Sequence, residues 1–252
     1  MESRRITIYS AIGPGLLLIA WIAFGDVGGA NRDLLPGFIE TVRTLGSLLI
    51  HGQLLADILA TAQRWLIGYV LGGAAGLCVG LAIGSSRRLY DSTEFLIEFF
   101  RSLPVTAIFP LFLLLFGIGD GSKIAMVFAA TVFVVILNAA YGVFHASPAR
   151  RAMARSFGAT PIQVFVRVTL PDALPQAAIG LRTALSLSLI VVVVAEMFIG
   201  TETGLGQRIY NSYAIDAISS MYAVILLLGV FGFVVNKSFI ACERQAFRWV
   251  GK

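Results

Sequence analysis

Long apolar runs separated by short polar stretches make up most of this chain. Six of them approach or exceed the roughly 20 residues that a helix needs to cross the apolar core of a bilayer. The runs cover residues 8–24, 65–84, 95–116, 124–144, 177–199 and 221–240. The third contains Pro104 and Pro110, which should kink or break its helix. The pattern predicts an all-α integral membrane protein with about six transmembrane helices.

Composition supports the same class, because 58% of the residues are hydrophobic and only 13% are charged. The loops between most runs are too short for a separate soluble domain, so residues 1–252 are predicted to form a single membrane domain. The first run also resembles a signal peptide, since Arg4 and Arg5 precede it and small residues lie near Gly25. An uncleaved first helix is favoured, because its removal would leave an odd number of spans.

Lys and Arg residues are unevenly distributed between the two ends of the predicted helices. Each of the 19 Lys and Arg residues can be assigned to the nearer end of an apolar run, and all but five of them then fall on the same side of the membrane. The exceptions are Arg32, Arg43, Arg64, Lys123 and Arg208. Excess cations mark cytoplasmic loops, so both termini are predicted to be cytoplasmic and segments 26–64, 117–123 and 200–218 to face outward. This bias explains the net charge of +5 with no nucleic-acid partner.

The polar segment 147–175 lies between the fourth and fifth runs and has the local signals of a folded loop. Ser147 is a good N-cap, and Pro148 suits the first position of a helix. Gly158 can adopt the left-handed conformation that ends a helix. A short helix is therefore predicted over residues 148–157.

A second short helix is predicted over residues 161–169, because Thr160 and Pro161 repeat the same start signal. Pro171 and Pro175 are expected to block its continuation into the fifth run. The loop's cations outnumber its one acid, Asp172; they are Arg150, Arg151, Arg155 and Arg167. The loop is thus predicted to lie on the cytoplasmic side.

Glycines recur every four residues along the second run and should form a nearly straight groove on one helical face. They are Gly68, Gly72, Gly76, Gly80 and Gly84. Repeated G-x-x-x-G lets helix backbones approach closely in lipid. The groove would serve either as a homodimer seam or for packing within one subunit, and the second interpretation is favoured.

Polar side chains within the fifth run and its neighbour are candidates for a solute pathway, because ionisable groups in a membrane are costly. Arg182 and Glu196 lie roughly 21 Å apart along a helix, too far to pair. Arg182 would attract a departing anion, or it would snorkel or hold loop carbonyls; for Glu196 a structural role is favoured. The neutral candidates, which would equally serve interhelical hydrogen bonds, are Asn138, Thr183, Ser186 and Ser188.

The sequence carries no clear signal for catalysis or for a resident metal. His51 and His145 are far apart, and no cluster has metal-ligand spacing, so no metal site is predicted. The chain has neither a G-x-x-x-x-G-K phosphate loop nor a G-x-S-x-G elbow. No catalytic residue is predicted, and the chain is expected not to be an enzyme by itself.

The loop carries a recognisable motif, E-A-A, three residues, G, nine residues, I-x-L-P. The matching positions are Ala152, Met153, Ala154, Gly158, Val168, Leu170 and Pro171. The spacing is kept, although Ala152 replaces the usual glutamate, so any ion pair of that glutamate is absent. On this motif the chain resembles the permease subunit of a type I ABC importer. Short stretches around positions 116–124, 137–138, 194–198 and 204–206 resemble the nitrate, sulfonate, taurine and bicarbonate branch.

The resemblance implies a MetI-like helical bundle in the bacterial inner membrane, with its permease core at residues 57–241. The loop 147–175 would then carry a coupling helix on the cytoplasmic side. The resemblance also implies a pathway for a small anion such as nitrate, a sulfonate or bicarbonate. The expected partners are a second permease copy, separate ATPase subunits that bind ATP and Mg, a periplasmic or lipid-anchored solute-binding protein, and membrane lipid.

Met153 and Phe157, four residues apart, are candidate apolar contacts with the ATPase; an interfacial helix lying on lipid headgroups is the alternative. Two other functions remain open, an ion-coupled secondary transporter and an ABC permease for a different small solute. A secondary transporter would normally show inverted repeats and buried acids at mid-membrane, and the sequence shows neither.

Overall fold

The computed structural model describes the backbone of residues 2–27, 34–52 and 54–247, and the side chains of those ranges except 2–11 and 27. Every regular element within these ranges is helical, which confirms the predicted all-α class. Five cations of the charge count lie outside the described side chains; they are Arg4, Arg5, Arg32, Arg248 and Lys252.

The helices follow one another with short connections. In chain order they are α1 (Glu2–Trp21), α2 (Phe38–Ile50), α3 (Leu55–Gly84), α4 (Arg87–Ser102), α5 (Phe109–Phe116), α6 (Asp120–Phe144), α7 (Pro148–Ser156), α8 (Pro161–Val164), α9 (Leu170–Ile199), α10 (Leu205–Ala214) and α11 (Ile218–Ala246).

Four helices are long and apolar enough to cross a membrane: α3, α6, the continuous helix Pro161–Ile199, and α11. The predicted third span is a bent pair instead, in which α4 and the segment Val105–Phe116 meet at 79°. The predicted first span is represented by the apolar stretch Ile12–Asp26, and the start of that run lies outside the described side chains. The described residues therefore supply four or five spans rather than six.

The prolines of the third span act differently from one another. Pro104 lies between the two bent helices, where it precedes a short 3₁₀ turn, so the predicted break is confirmed. Pro110 does not break a helix, because it occupies the first turn of α5, where its missing N–H costs nothing.

The prediction that Pro171 and Pro175 separate the loop from the fifth span is wrong. A wide π turn at Phe165–Thr169 joins α8 to α9, and the Leu170 amide donates to the Phe165 carbonyl five residues back. Pro171 then falls in the first turn of α9, where a proline is tolerated. Pro175 lies inside α9, as membrane helices permit when packed neighbours satisfy the freed backbone.

The glycine groove of α3 receives α6 of the same subunit, so the intrachain interpretation is confirmed and the homodimer seam is wrong. A Cβ added at Gly68 would lie 2.6 Å from the Val127 Cβ, and one added at Gly76 would lie 2.7 Å from the Val135 Cβ. Gly72, Gly80 and Gly84 are as closely covered by α6 backbone. Close approach of α3 and α6 fixes the centre of the bundle, against which α9 also packs.

The segment 37–64 is divided between two helices. Residues 38–50 form α2, whereas 55–64 belong to α3. Leu45 and Leu48 pack against a buried cluster formed by Leu54, Leu205, Ile209 and Val224. Helix α2 therefore joins α10 and α11 at the end of the bundle remote from α7.

Candidate functional site: the α7 loop, the α9 face and the buried network

Helix α7 has the caps that its sequence predicts. The Ser147 hydroxyl accepts a hydrogen bond from the Arg150 amide, and Pro148 occupies the first turn. The chain leaves the helix through Gly158, whose φ of 81° lies in the left-handed region that favours glycine. Thr160 and Gln163 then form a reciprocal capping box at the start of α8. The loop is a folded element.

Asp172 at the start of α9 anchors α7 to the transmembrane bundle. One carboxylate oxygen lies 2.9 Å from the Arg150 guanidinium, and the other accepts from the Ser147 amide at 3.2 Å. Because Asp172 is largely buried, these bonds fix the direction in which α7 leaves α6. A displacement of α7 would therefore be passed to α9.

The outer surface of the loop presents apolar side chains beside a hollow of about 400 Å³. Met153 and Phe157 are 61% and 79% exposed, respectively. We call this the loop hollow; it is lined by Arg150, Met153, Ala154, Phe157, Arg167, Val168, Pro171 and Asp172. Of the remaining motif positions, Ala152 is exposed and Leu170 is half-buried. Most of the predicted docking positions are thus brought together on one surface.

Three of the candidate pathway residues share an exposed face of α9. Arg182, Thr183 and Ser186 are exposed, and no ion pair involves Arg182 among the described residues. The Thr183 hydroxyl donates to the Ile179 carbonyl one turn back. The role of this exposed face in a solute pathway stays a prediction.

The other three candidates do not lie on that face. Ser188 is fully buried and accepts a hydrogen bond from the Trp65 indole at 2.9 Å. The Asn138 carbonyl oxygen accepts from the Gln176 amide at 3.0 Å. Ser188 and Asn138 therefore make the interhelical hydrogen bonds that were the alternative interpretation.

Glu196 is fully buried in a network at the end of the bundle remote from α7. The Arg64 guanidinium lies 2.7 Å from Glu196 and 2.7 Å from Asp120, which begins α6. The Thr61 hydroxyl and the Gly206 amide also donate to the Glu196 carboxylate. Glu196 is thus structural, and its place in the candidate pathway is corrected.

The network extends to the connection between α9 and α10. Asp57 accepts from the Gly204 amide and pairs with Arg208 at 2.8 Å, while Arg64 also donates to the Thr203 carbonyl. We call the whole set the buried network; its side chains are Asp57, Thr61, Arg64, Asp120, Glu196 and Arg208. It joins α3, α6, α9 and α10 through charge-assisted bonds.

Sequence reasoning missed most of the buried network, assigning Arg64 and Arg208 only to an outward-facing surface. A signal was available, because Asp57, Thr61 and Arg64 continue the face of the glycine groove at helical spacing. Because this face of α3 packs closely against a neighbouring helix at its glycines, polar residues that continue the same face are expected to be buried too. Among the described residues, no three His, Cys, Asp or Glu side chains converge as a metal site requires.

Comparison with known proteins agrees with this architecture. Residues 68–242 match the family model described as binding-protein-dependent transport system inner membrane component. The chain is 32% identical to the putative aliphatic sulfonates transport permease protein SsuC of Escherichia coli, over 94% of this chain and 89% of that protein. It is 30% identical to the taurine transport system permease protein TauC of the same organism, over 99% and 92% of the two chains.

A similar fold occurs in the inward-facing MetNI methionine ABC transporter, with a TM-score of 0.68 and 21% identity, over 78% of this chain and 97% of that chain. These matches confirm the family that the loop motif predicts and the branch that the short stretches elsewhere in the chain predict. Together with the capped loop and the apolar bundle, they show that this chain belongs to the family of inner membrane components of binding-protein-dependent transport systems, the permeases of ABC importers.

Proposed function

We propose that this chain forms half of the membrane pathway of an ATP-driven importer for small oxyanions, with organic sulfonates as the favoured substrates. A second copy of the chain supplies the other half. The ATPase is a separate cytoplasmic subunit that binds ATP and Mg, and a solute-binding protein delivers substrate to the opposite face. Both termini then lie in the cytoplasm.

The substrate class rests on similarity and on charge. Relatives at 32% and 30% identity carry names that refer to aliphatic sulfonates and taurine. The open face of α9 carries Arg182 beside two hydroxyl side chains, Thr183 and Ser186. A cation beside a neutral hydrogen-bond donor, the Ser186 hydroxyl, suits a singly charged oxyanion, which must bind briefly and leave.

The observation that carries the coupling role is the contrast within α7 between a fixed base and an open surface. Asp172 binds the start of α7, while Met153 and Phe157 beside the loop hollow are exposed. Exposed apolar anchors around a concave surface are typical of a protein interface. The groove of an ATPase would cover them, and movement of α7 would reach α9 through Asp172.

An ion-coupled secondary transporter is disfavoured by the partners of the buried acids. Such a transporter needs a buried carboxylate that takes up and releases its ion. Glu196 is held by Arg64, and Asp57 by Arg208. Neither carboxylate is available for exchange without breaking the network that joins α9 to α10.

Copurification with the ATPase tests the coupling role. Met153→Asp places a charge in the docking surface, and Gly158→Pro is incompatible with a φ of 81° and removes the amide that donates to Arg155. Both variants should enter the membrane at wild-type levels yet lose the ATPase in detergent. Arg88→Gln, an exposed change on α4, is the control and should retain it. Retention of the ATPase by both loop variants would contradict the proposal.

A further inference from the structure

Arg101 is the residue whose surroundings the proposed function leaves unexplained. Counted by charge it belongs to a cytoplasmic helix end, but the structure places it deeper. The neighbouring Phe100 ring stacks on Phe133 with ring centroids 5.2 Å apart. Phe133 lies roughly 16 Å along α6 from its last residue, Phe144, at 1.5 Å per residue. Arg101 is thus exposed beside the break between α4 and α5, level with the α7-side half of α6 and within the length of that candidate span.

No hydrogen bond or ion pair occupies the Arg101 side chain among the described residues. Glu98, one turn earlier on α4, is exposed and forms no ion pair with it. By contrast, Arg64 has four protein acceptors within 3.1 Å. An unpaired cation inside a membrane span is costly and marks a solute or ion pathway.

Two cavities of opposite character meet at Arg101. The first, of about 240 Å³, is mainly apolar, and its walls include Phe100, Leu103, Phe133, Leu187 and Ile190. The second, of about 210 Å³, is lined by Arg101, Leu137, Asn138, Tyr141 and Gln176. We call them the apolar cavity and the polar cavity. Arg101 is the one residue common to both linings.

The polar cavity has hydrogen-bond donors and no carboxylate. The Tyr141 hydroxyl makes no hydrogen bond with a described residue, so it is free to donate. The Gln176 amide nitrogen donates to the Asn138 side-chain oxygen and the Asn138 amide nitrogen donates to the Val134 carbonyl, so each amide keeps one further N–H. A guanidinium, a phenol and amide groups around one small volume match the oxygens of a singly charged anion.

We propose that Arg101 is the anion-binding residue of a transient substrate site at this junction, which takes an organic sulfonate with a short alkyl chain. The sulfonate oxygens contact Arg101 and Tyr141 in the polar cavity, and the alkyl chain enters the apolar cavity. The site rests on the proposed function and deepens it, because it favours alkanesulfonates over inorganic anions that have no apolar part.

Saturation-transfer NMR on the assembled permease–ATPase complex, without the binding protein, tests the site with methanesulfonate, butanesulfonate and butylammonium. Each added methylene should tighten binding by up to about fourfold, and butylammonium should give no signal. Arg101→Gln should weaken butanesulfonate binding about tenfold or more, as expected for loss of a charge-assisted hydrogen bond. Arg88→Gln, the matched arginine near the start of α4, should bind as wild type.

Leu187→Trp narrows the apolar cavity at a partly exposed position and separates a specific site from a general loss of fold. It should remove the preference for butanesulfonate while leaving methanesulfonate binding within about twofold. Equal losses for both probes would overturn the proposal, as would wild-type binding by Arg101→Gln. A third outcome would also overturn the proposed sulfonate site: wild type binds no sulfonate, and Arg101→Gln loses phosphatidylglycerol that copurifies with wild type. That result would identify a lipid-binding site.

Uptake into proteoliposomes separates this proposal from the proposed function. Sulfonate binding that depends on Arg101, without sulfonate uptake by wild type, would support the site and contradict the transport role. Wild-type uptake that is unchanged in Arg101→Gln would support the transport role and contradict the site.

Discussion

The two ends of the bundle use their charged residues in opposite ways. At the end remote from α7, Arg64 and Glu196 are buried, paired and shared among four helices. At the α7 end, Arg151, Arg155 and Arg167 form no ion pair among the described residues, and Met153 and Phe157 are exposed. The buried network satisfies its charges within the chain, whereas the α7 end leaves cations and apolar side chains exposed.

The difference indicates where stability and where function are located. Changes in the buried network should affect folding, because they remove charge-assisted hydrogen bonds from buried groups. Changes on the loop hollow should affect partner binding and leave the fold intact. The following variants test that division.

The largest expected effect is on the buried network. Glu196→Leu removes the carboxylate that Arg64, Thr61 and Gly206 share, and it should lower the free energy of unfolding by about 3–5 kcal/mol. Unfolding by denaturing detergent in micelles measures this. The exposed pair Arg87–Asp91 supplies the control, since Asp91→Asn should cost less than about 1 kcal/mol. Equal effects of the two variants would remove the distinction between buried and exposed charge.

A smaller effect is expected in the seam between α3 and α6. Gly76→Ala should lower the free energy of unfolding by about 1–3 kcal/mol, because its Cβ would lie 2.7 Å from the Val135 Cβ. Gly46→Ala in α2 is the control; a Cβ there meets no atom within 4 Å, and it should stabilise the helix by about 0.5–1 kcal/mol. Stabilisation by Gly76→Ala would show that α3 and α6 are not closely packed at this position.

Phe157→Ala should separate binding from folding. Affinity for the ATPase should fall by about tenfold or more, as for a central apolar anchor, while the free energy of unfolding stays within about 0.5 kcal/mol. Titration of the purified ATPase against permease in nanodiscs gives the affinity. Leu114→Ala changes an equally exposed apolar residue on α5 and should bind the ATPase normally. A matching loss in Leu114→Ala would mean that exposure alone governs the interaction.

The smallest expected effect concerns the anchor of α7. Asp172→Asn keeps an acceptor for the Ser147 amide but loses the ion pair with Arg150, whose side chain is largely exposed. Stability of α7 should fall by about 1 kcal/mol or less, seen as up to about fivefold faster amide hydrogen exchange in residues 148–156. Arg151→Gln changes a neighbouring arginine that forms no ion pair among the described residues, and it should leave the exchange rates unchanged. Slower exchange in Asp172→Asn would contradict the anchor.

Features that depend on neighbouring residues were predictable from the sequence, whereas contacts between residues far apart in the chain were not. The caps at Ser147, Gly158 and Thr160 depend on neighbouring residues only, and the structure confirms all three. The bonds between Arg64 and Glu196 join residues on different helices far apart in the chain, so no local pattern specifies them. The bend at Pro104 was predictable, whereas its angle depends on packing against α6.

The wrong predictions share a physical cause, namely that tertiary packing overrides a local preference. Pro171 and Pro175 disfavour a regular helix, yet the π turn at Phe165–Thr169 and the packed bundle allow one continuous helix from the loop into the membrane. The result matters for mechanism, because a continuous helix carries displacement from the loop to α9 better than a broken one.

The most direct test of the account is ATP-dependent solute uptake into vesicles that contain the permease with and without its ATPase. With the solute-binding protein supplied, wild-type permease should accumulate sulfonate only when the ATPase and ATP are present, and Met153→Asp should abolish accumulation without changing the amount of folded permease. Accumulation at an undiminished rate in the absence of the ATPase, or in Met153→Asp, would contradict the claim that the α7 loop couples this chain to an external source of energy.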